Sequence, residues 1–402
     1  MNLNCINKKH DRMNTINFSE ESAVLKIGIT GQAGFIGTHL YNTLGLTPQR
    51  YVRIEFEKSF FDDNKQLEKF VESCDVIVHL AAMNRHNDPE VIYAANTGLI
   101  RKLIAAMEKT QSKPHVIFSS SIHEERKDLY GKSKKDGRLL FEKWAEENQT
   151  NFTGFVIPNT FGPFGHPFYN SVIATFCYKL THNETPEIET DGEMKLIYVS
   201  ELIQILLKAI SSTPHDKNNK KNIVFQKIEN TATIKVSSLL QKLQCFKSDY
   251  FEKGIIPDLN SVFEKNLFTT FLCYINHKDF FPFHLKKNTD ERGSFVETIR
   301  LNSGGQISFS TTMHGITRGN HFHTRKAERF AVIKGKALIE LRKVGTKEVL
   351  SFILDGENPS FVDMPIWFTH NIKNIGNEEL LTLFWINEFY DPNDPDTYFE
   401  AV

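Results

Sequence analysis

A short apolar strand that runs directly into closely spaced glycines and then into a helix leaves few folds open to the chain around it. Val24-Leu-Lys-Ile-Gly-Ile-Thr30 is such a strand, Gly31-Gln-Ala-Gly34-Phe-Ile-Gly37 is the glycine loop, and Thr38 to Leu44 reads as the helix. Glycines at this turn let the backbone come close to a pyrophosphate, which then rests on the free amides of the helix N-terminus. Further apolar strands follow at Arg50–Phe56, Asp75–Ala82 and His115–Ser121, separated by helical stretches. Alternation of this kind predicts a doubly wound parallel sheet. From about residue 282 the pattern changes to short alternating strands with Gly and Asn turns, which predicts an all-β barrel instead.

At 402 residues the chain is long enough for two or three domains. Its formal net charge of −1 gives no electrostatic footprint for nucleic acid. The five cysteines, at 5, 74, 177, 245 and 273, have no paired spacing and read as reduced thiols of a cytoplasmic protein. Apolar runs such as Ile203–Ile210 are too short for a membrane span. Residues 1–24 read as a flexible extension, 25–245 as the nucleotide-binding domain, 246–281 as a connector and 282–402 as the barrel.

Residues 30–37 resemble the Thr-Gly-x-x-Gly-Phe-Ile-Gly fingerprint of the extended short-chain dehydrogenase/reductases. The resemblance extends to His79-Leu80-Ala81-Ala82, to Asn96 near a helix start, and to Ser119-Ser-Ser121 followed by Tyr130-Gly-Lys-Ser-Lys134. It implies a cofactor held by Gly31, Gly34, Phe35, Ile36, Gly37, Leu80, Ala81, Ala82, Asn96, Tyr130 and Lys134. The implied catalytic set is Ser121, Tyr130 and Lys134, with Ser120 the other candidate hydroxyl. Alone, Tyr-x-x-x-Lys would read as an exposed helix face. Spaced four apart on a helix, the two side chains share a face, so the ammonium is expected to lower the phenol's pKa from about 10. The gap from Ser121 to Tyr130 is shorter than in most extended members. Glu55 and Glu57 would suit a ribose hydroxyl whereas Arg53 and Lys58 would attract a 2′-phosphate, so NAD and NADP both stay open. Val156 stands where the family usually has Arg, and Ser200, where Asp is common, is expected to cap the helix Glu201–Ile210.

In the second half, His321 and His323 are two apart in an extended segment and so point to one side of a strand, with Glu328 a turn away. The spacing Gly315-x5-His321-x-His323-x4-Glu328-x6-Gly335 resembles the first cupin motif, and Pro365-Ile-Trp-Phe-Thr-His370 resembles the second. Trp367 stands where that family usually has Gly, and Gly356 lies further upstream of Pro365 than usual. Four ligands, His321, His323, Glu328 and His370, are expected to hold one divalent metal; imidazole and carboxylate without thiolate suit zinc, iron or nickel, and zinc is favoured because it does no unwanted redox chemistry. Asp290-Glu-Arg-Gly-Ser-Phe295 and Arg318-Gly-Asn-His321 also resemble segments of the deoxysugar nucleotide 3,5-epimerases, which use the His as a base without metal.

A reductase followed by a metal cupin resembles the bifunctional capsular polysaccharide enzymes of the CapF/WbjC type. That resemblance implies a UDP-linked 2-acetamido-4-keto-6-deoxy-hexose, epimerised at C3 by the barrel and reduced at C4 with NADPH, NADH remaining possible as cofactor. The product implied is UDP-N-acetyl-6-deoxy-L-talosamine, the precursor of an L-FucNAc unit in capsule or O-antigen, made by a homodimer. Two alternatives stand beside it: an iron(II) oxygenase on the same ligand set, and a barrel that only dimerises the protein or binds substrate.

Overall fold

The computed structural model describes residues 24–213, 222–291 and 293–402. The extension expected over 1–24 lies outside them except for Val24, as do Arg292 and most of the polar loop 216–222. No helix among the described residues is long and apolar enough to cross a membrane.

Six parallel strands form the first sheet, in the order Tyr51–Ile54, Leu25–Thr30, Val76–His79, His115–Ser121, Phe152–Ile157 and Ile223–Lys227. Successive residues of a strand face opposite ways, and both ways are apolar here. Ile27, Ile29, Val76 and Val78 pack on Leu40 and Leu44 of the first helix and on Leu202, Leu206 and Ile210 of the helix Val199–Ser211. Ile77, Val116 and Phe118 pack on Phe70, Leu103 and Phe141 on the other face. Burial on both faces is what a parallel sheet requires. The strand order reverses between Leu25–Thr30 and Val76–His79, so the loops beginning at Gly31 and Leu80 flank the crevice where such sheets bind ligands. Ser200 is not the cap of the helix Val199–Ser211: the turn starts two residues earlier, and the Tyr198 amide donates to the Glu201 carboxylate at 3.1 Å.

Residues 246–281, expected as a connector, carry helices at Val262–Leu272 and His277–Phe280. Their aromatic side chains Phe246, Tyr250, Phe268 and Phe271 share one core with Phe161, Phe176 and Tyr198 of the substrate half. Tyr250 also reaches the barrel, donating its hydroxyl to Asp363 at 2.6 Å.

The barrel is built from two five-stranded antiparallel sheets. One runs Phe283–His284, Ser360–Met364, Glu328–Lys334, Leu380–Ile386, Gln306–Thr312, and the other Val349–Asp355, Lys336–Lys343, Phe368–Asn374, Thr317–Phe322, Tyr398–Phe399. Ala331, Ile339, Leu341, Phe361, Met364 and Ile372 fill the space between them. Arg329 is fully buried, held by Asp363 through two hydrogen bonds of 2.8 and 2.9 Å and stacked 3.6 Å above Phe361.

Candidate active site and metal centre

The glycine loop is shaped by backbone contact. Gly31 has φ +77°, and a side chain there would meet the Ala81 amide at 2.8 Å. At Gly37 a Cβ would lie 2.2 Å from the Gly31 carbonyl, so the first helix turn can close on the loop only with glycine. Gly34 has more room, its Cβ direction meeting only that same carbonyl at 3.2 Å. Phe35 and Ile36 begin the helix Phe35–Gly45, while Leu80, Ala81 and Ala82 follow the strand Val76–His79. Asn96, in the second turn of the helix Pro89–Thr110 and not at its start, accepts from the Met83 amide at 2.7 Å and donates to Ser133 Oγ at 2.9 Å. It thereby ties the loop after Ala82 to the helix that carries Tyr130. Arg53 lies folded over the Tyr41 ring at 4.3 Å.

Ser121 ends the strand His115–Ser121; its hydroxyl accepts from the His123 amide at 3.2 Å and lies close enough to the Tyr130 phenol to favour its ionised form. Ser120 is engaged elsewhere, donating to Glu124, which forms a two-point pair with Arg138 at 3.1 and 3.3 Å. Glu124 sits on a single tight turn, Ile122–Glu125, and this turn is how the chain spans the short gap to Tyr130. The expected lowering of the Tyr130 pKa is not found. Burial pushes the phenol up to about 12, with the Ser121 hydroxyl opposing it. Lys134 faces the Phe118 ring, its Nζ 5.1 Å from the centre, and burial lowers its own pKa to about 8. Helical spacing puts the two residues four apart on the helix, but burial is the largest cause of each shift and neither group acts on the other.

In the barrel, the nitrogens of His321, His323 and His370 and an oxygen of Glu328 all lie within 4.8 Å of one another. Glu328 Oε2 is 3.0 Å from His370 Nε2 and 3.4 Å from His323 Nε2, yet none of these three buried atoms makes an aligned hydrogen bond. Buried polar atoms that converge without pairing are costly unless a cation joins them. The opposite nitrogens are occupied: His323 Nδ1 by the Asp396 carbonyl and His370 Nδ1 by the Phe368 carbonyl at 3.1 Å. That arrangement presents the Nε2 lone pairs inward. Burial and the two neighbouring imidazoles hold His321 down at about 4. Burial opposes ionising Glu328, but His323 and His370 hold its carboxyl below the usual range. The donor set fits a divalent ion. Trp367, in the place of the expected glycine, has φ +62°, and its amide donates to the His323 carbonyl at 2.7 Å. The backbone conformation is thus the one glycine would supply, and stacking on Phe322 helps keep the indole there.

Residues 27–223 match the NAD dependent epimerase/dehydratase family and residues 288–398 match the polysaccharide biosynthesis C-terminal domain. A Pseudomonas aeruginosa UDP-2-acetamido-2,6-beta-L-arabino-hexul-4-ose reductase is 30% identical over 380 residues, covering 93% of this chain and 98% of the relative. The crystal structure of the capsular polysaccharide assembling protein CapF from Staphylococcus aureus is 34% identical, covers 94% of this chain and 100% of that one, and superposes with a TM-score of 0.59. The chain belongs to the CapF family. A UDP-glucose 4-epimerase from Thermotoga maritima, 19% identical with a TM-score of 0.50 over 62% of this chain, shares the nucleotide-binding fold. Like its family, the chain is an NAD(P)H-dependent oxidoreductase of sugar-nucleotide chemistry in polysaccharide biosynthesis, with a cupin-like second domain. Sequence reading had not found Asp396, Glu124 or the Arg329–Asp363 pair, whose partners meet only through the tertiary fold.

Proposed function

We propose that the chain is a bifunctional enzyme that epimerises C3 of a UDP-2-acetamido-4-keto-6-deoxy-hexose in the barrel and reduces the C4 ketone in the first domain, towards UDP-N-acetyl-6-deoxy-L-talosamine. The observation that carries this reading is that two separate clusters stand in one chain, Ser121, Tyr130 and Lys134 by the nucleotide sheet and the convergent His321, His323, Glu328 and His370 inside the barrel. The Pseudomonas relative is named for reducing a hexul-4-ose, which supports a ketone at C4.

For the reduction, Gly31, Gly34, Gly37, Leu80, Ala81, Ala82 and Asn96 would line the cofactor, and NADPH would supply the hydride. Tyr130 donates its phenolic proton to O4 as the hydride arrives at C4. A phenol near 12 is fully protonated at neutral pH and so is ready to donate. Ser121, beside that phenol, orients the same carbonyl oxygen. Lys134 supplies positive charge beside the developing phenolate.

For the epimerisation, the C3 proton is acidic because its removal moves charge onto O4. Bound at the four ligands, a divalent ion, zinc in our reading, would supply positive charge for that oxygen. His321 as a ligand cannot also be the base, so another group removes the proton, and a proton returned to C3 from the opposite face inverts the centre and restores the ketone. Reduction of the ketone then locks the new C3 centre, which is why the two domains share one chain. The working unit is a homodimer in this reading. Incubation with UDP-4-keto-6-deoxy-hexoses and NADPH, with NMR of the products, tests it: inversion at C3 and an alcohol at C4 support it, and reduction without inversion leaves the barrel as a binding or dimerising module.

A further inference from the structure

We infer that residues 391–402, acting through Asp396, form the outer wall of the metal centre and set the angle at which His323 enters it. The inference rests on the metal reading of the barrel. This segment touches three of the four ligands or their neighbours. Phe399 and Tyr398 pair as an antiparallel strand with His321 and Phe322. The Glu400 amide donates to the Asn320 carbonyl at 3.0 Å, and Thr369, next to His370, donates its hydroxyl to the Glu400 carbonyl. His323 Nδ1 bonds to the Asp396 carbonyl.

Asp396 is the centre of this wall. It is only 3% exposed, and its carboxylate accepts from three successive amides, Thr324 at 3.2 Å, Arg325 at 2.9 Å and Lys326 at 3.2 Å. The Thr324 hydroxyl adds a bond of 2.6 Å. Three consecutive N–H groups converging on one carboxylate make a rigid anion nest, and bonds to an ionised acceptor are stronger than neutral ones. These are the residues that lead from His323 towards Glu328. One side chain therefore fixes the turn between two ligands, while its own carbonyl fixes the ring orientation of the first. The backbone of Asp396 is left-handed, with φ 42°, a conformation that Asp and Asn tolerate. Just before it, Lys326 Nζ donates to the Pro395 carbonyl at 2.6 Å and Arg325 donates to the Asp394 carbonyl at 2.8 Å, so the strap is anchored where it enters Asp396.

A strap that merely staples the barrel would add stability and leave the ligand geometry alone. Asp396→Asn separates the two roles, because asparagine keeps the size and the left-handed backbone but turns an N–H2 group towards the amides. Wild type and variant are freed of metal, shown to be folded by circular dichroism, titrated with Zn²⁺ against a chromophoric chelator, and then saturated with Co²⁺ for its visible d–d spectrum. The expected result is a zinc affinity reduced about 10–100-fold, the usual effect of losing an outer-sphere partner, and an altered cobalt spectrum at saturation. Thr324→Val, which removes one bond to the same carboxylate, should move affinity in the same direction by less, and it carries the test if Asp396→Asn does not fold. A folded variant with wild-type zinc affinity and wild-type cobalt spectrum overturns the inference, even if its melting temperature falls. Wild-type protein that binds neither ion overturns the metal reading on which the inference rests.

Discussion

His321 and His370 are direct partners across two antiparallel strands, and an irregularity between Gly319 and His321 makes them so. Gly319 has φ +98° and Asn320 φ +60°, so the strand is offset by one residue before resuming with His321 opposite His370. Such a bulge re-aims a side chain. Here it brings an imidazole from each motif to a centroid separation of 4.7 Å.

His370→Ala should therefore lose the metal, because only one motif remains to hold it. Elemental analysis of protein purified without chelators checks this, with wild type expected to carry one divalent ion per chain. If the ion polarises the ketone, solvent exchange at C3 stops while cofactor binding in the first domain survives. If it is structural, exchange and the barrel's melting temperature fall together. Wild type with no stoichiometric metal would return His321 to the role of base.

Tyr130→Phe removes the phenolic proton placed beside Ser121 and should slow NADPH oxidation by about 10²–10⁴-fold, the range for a lost general acid. Deuterium from solvent should still enter the 4-keto sugar at C3. Loss of that exchange in a folded variant would mean that one site performs both reactions.

The second and third glycines of the loop predict different failures. Gly37→Ala forces a methyl to 2.2 Å from the Gly31 carbonyl and should lower the melting temperature of the first domain. Gly34→Val meets one atom at 3.2 Å, so the fold should persist while the added bulk faces the cofactor and weakens NADPH binding by about tenfold or more, some 1.4 kcal/mol or above. Wild-type NADPH affinity in Gly34→Val, read by fluorescence titration, would sink the nucleotide-loop assignment.

What sequence could and could not show follows from how local each determinant is. The glycine loop was legible because a strand, three spaced glycines and a helix are continuous in the chain. The convergence of His321, His323, Glu328 and His370 was legible because alternate strand residues share a face and the two motifs have fixed spacings. The pKa of Tyr130 was not, since burial is a tertiary property and is the largest cause of its shift. Asp396 follows His323 by 73 residues and has no motif of its own. The Phe-rich stretch 246–281 gave little signal because its helices are defined by the core they enter, and their amphipathic pattern is weak.

Asp363→Ala would leave the Arg329 guanidinium buried without its anion and should destabilise the protein by about 3–5 kcal/mol. Tyr250 would lose its acceptor as well. Chemical denaturation followed by tryptophan fluorescence measures the change, and a loss below about 1 kcal/mol would show that water or another group replaces the pair.

Lys134 gives a pH dependence with a definite sign. Its folded pKa is about 8, below the ordinary 10.5, so its ammonium is present below pH 8 and disappears as pH rises through that value. Since the charge assists proton donation by Tyr130, kcat for reduction should fall on the alkaline side with a midpoint near 8. The groups acting on Lys134 are Glu124 from the tight turn, which favours the ammonium, and the Phe118 ring, with His79 held neutral by burial at about 3. Glu124→Gln removes the only carboxylate in that set while keeping an oxygen for Ser120 and Arg138, so the alkaline midpoint should move to lower pH. A midpoint that stays in place, in a variant with the wild-type melting temperature, would show that the alkaline limb belongs to another group.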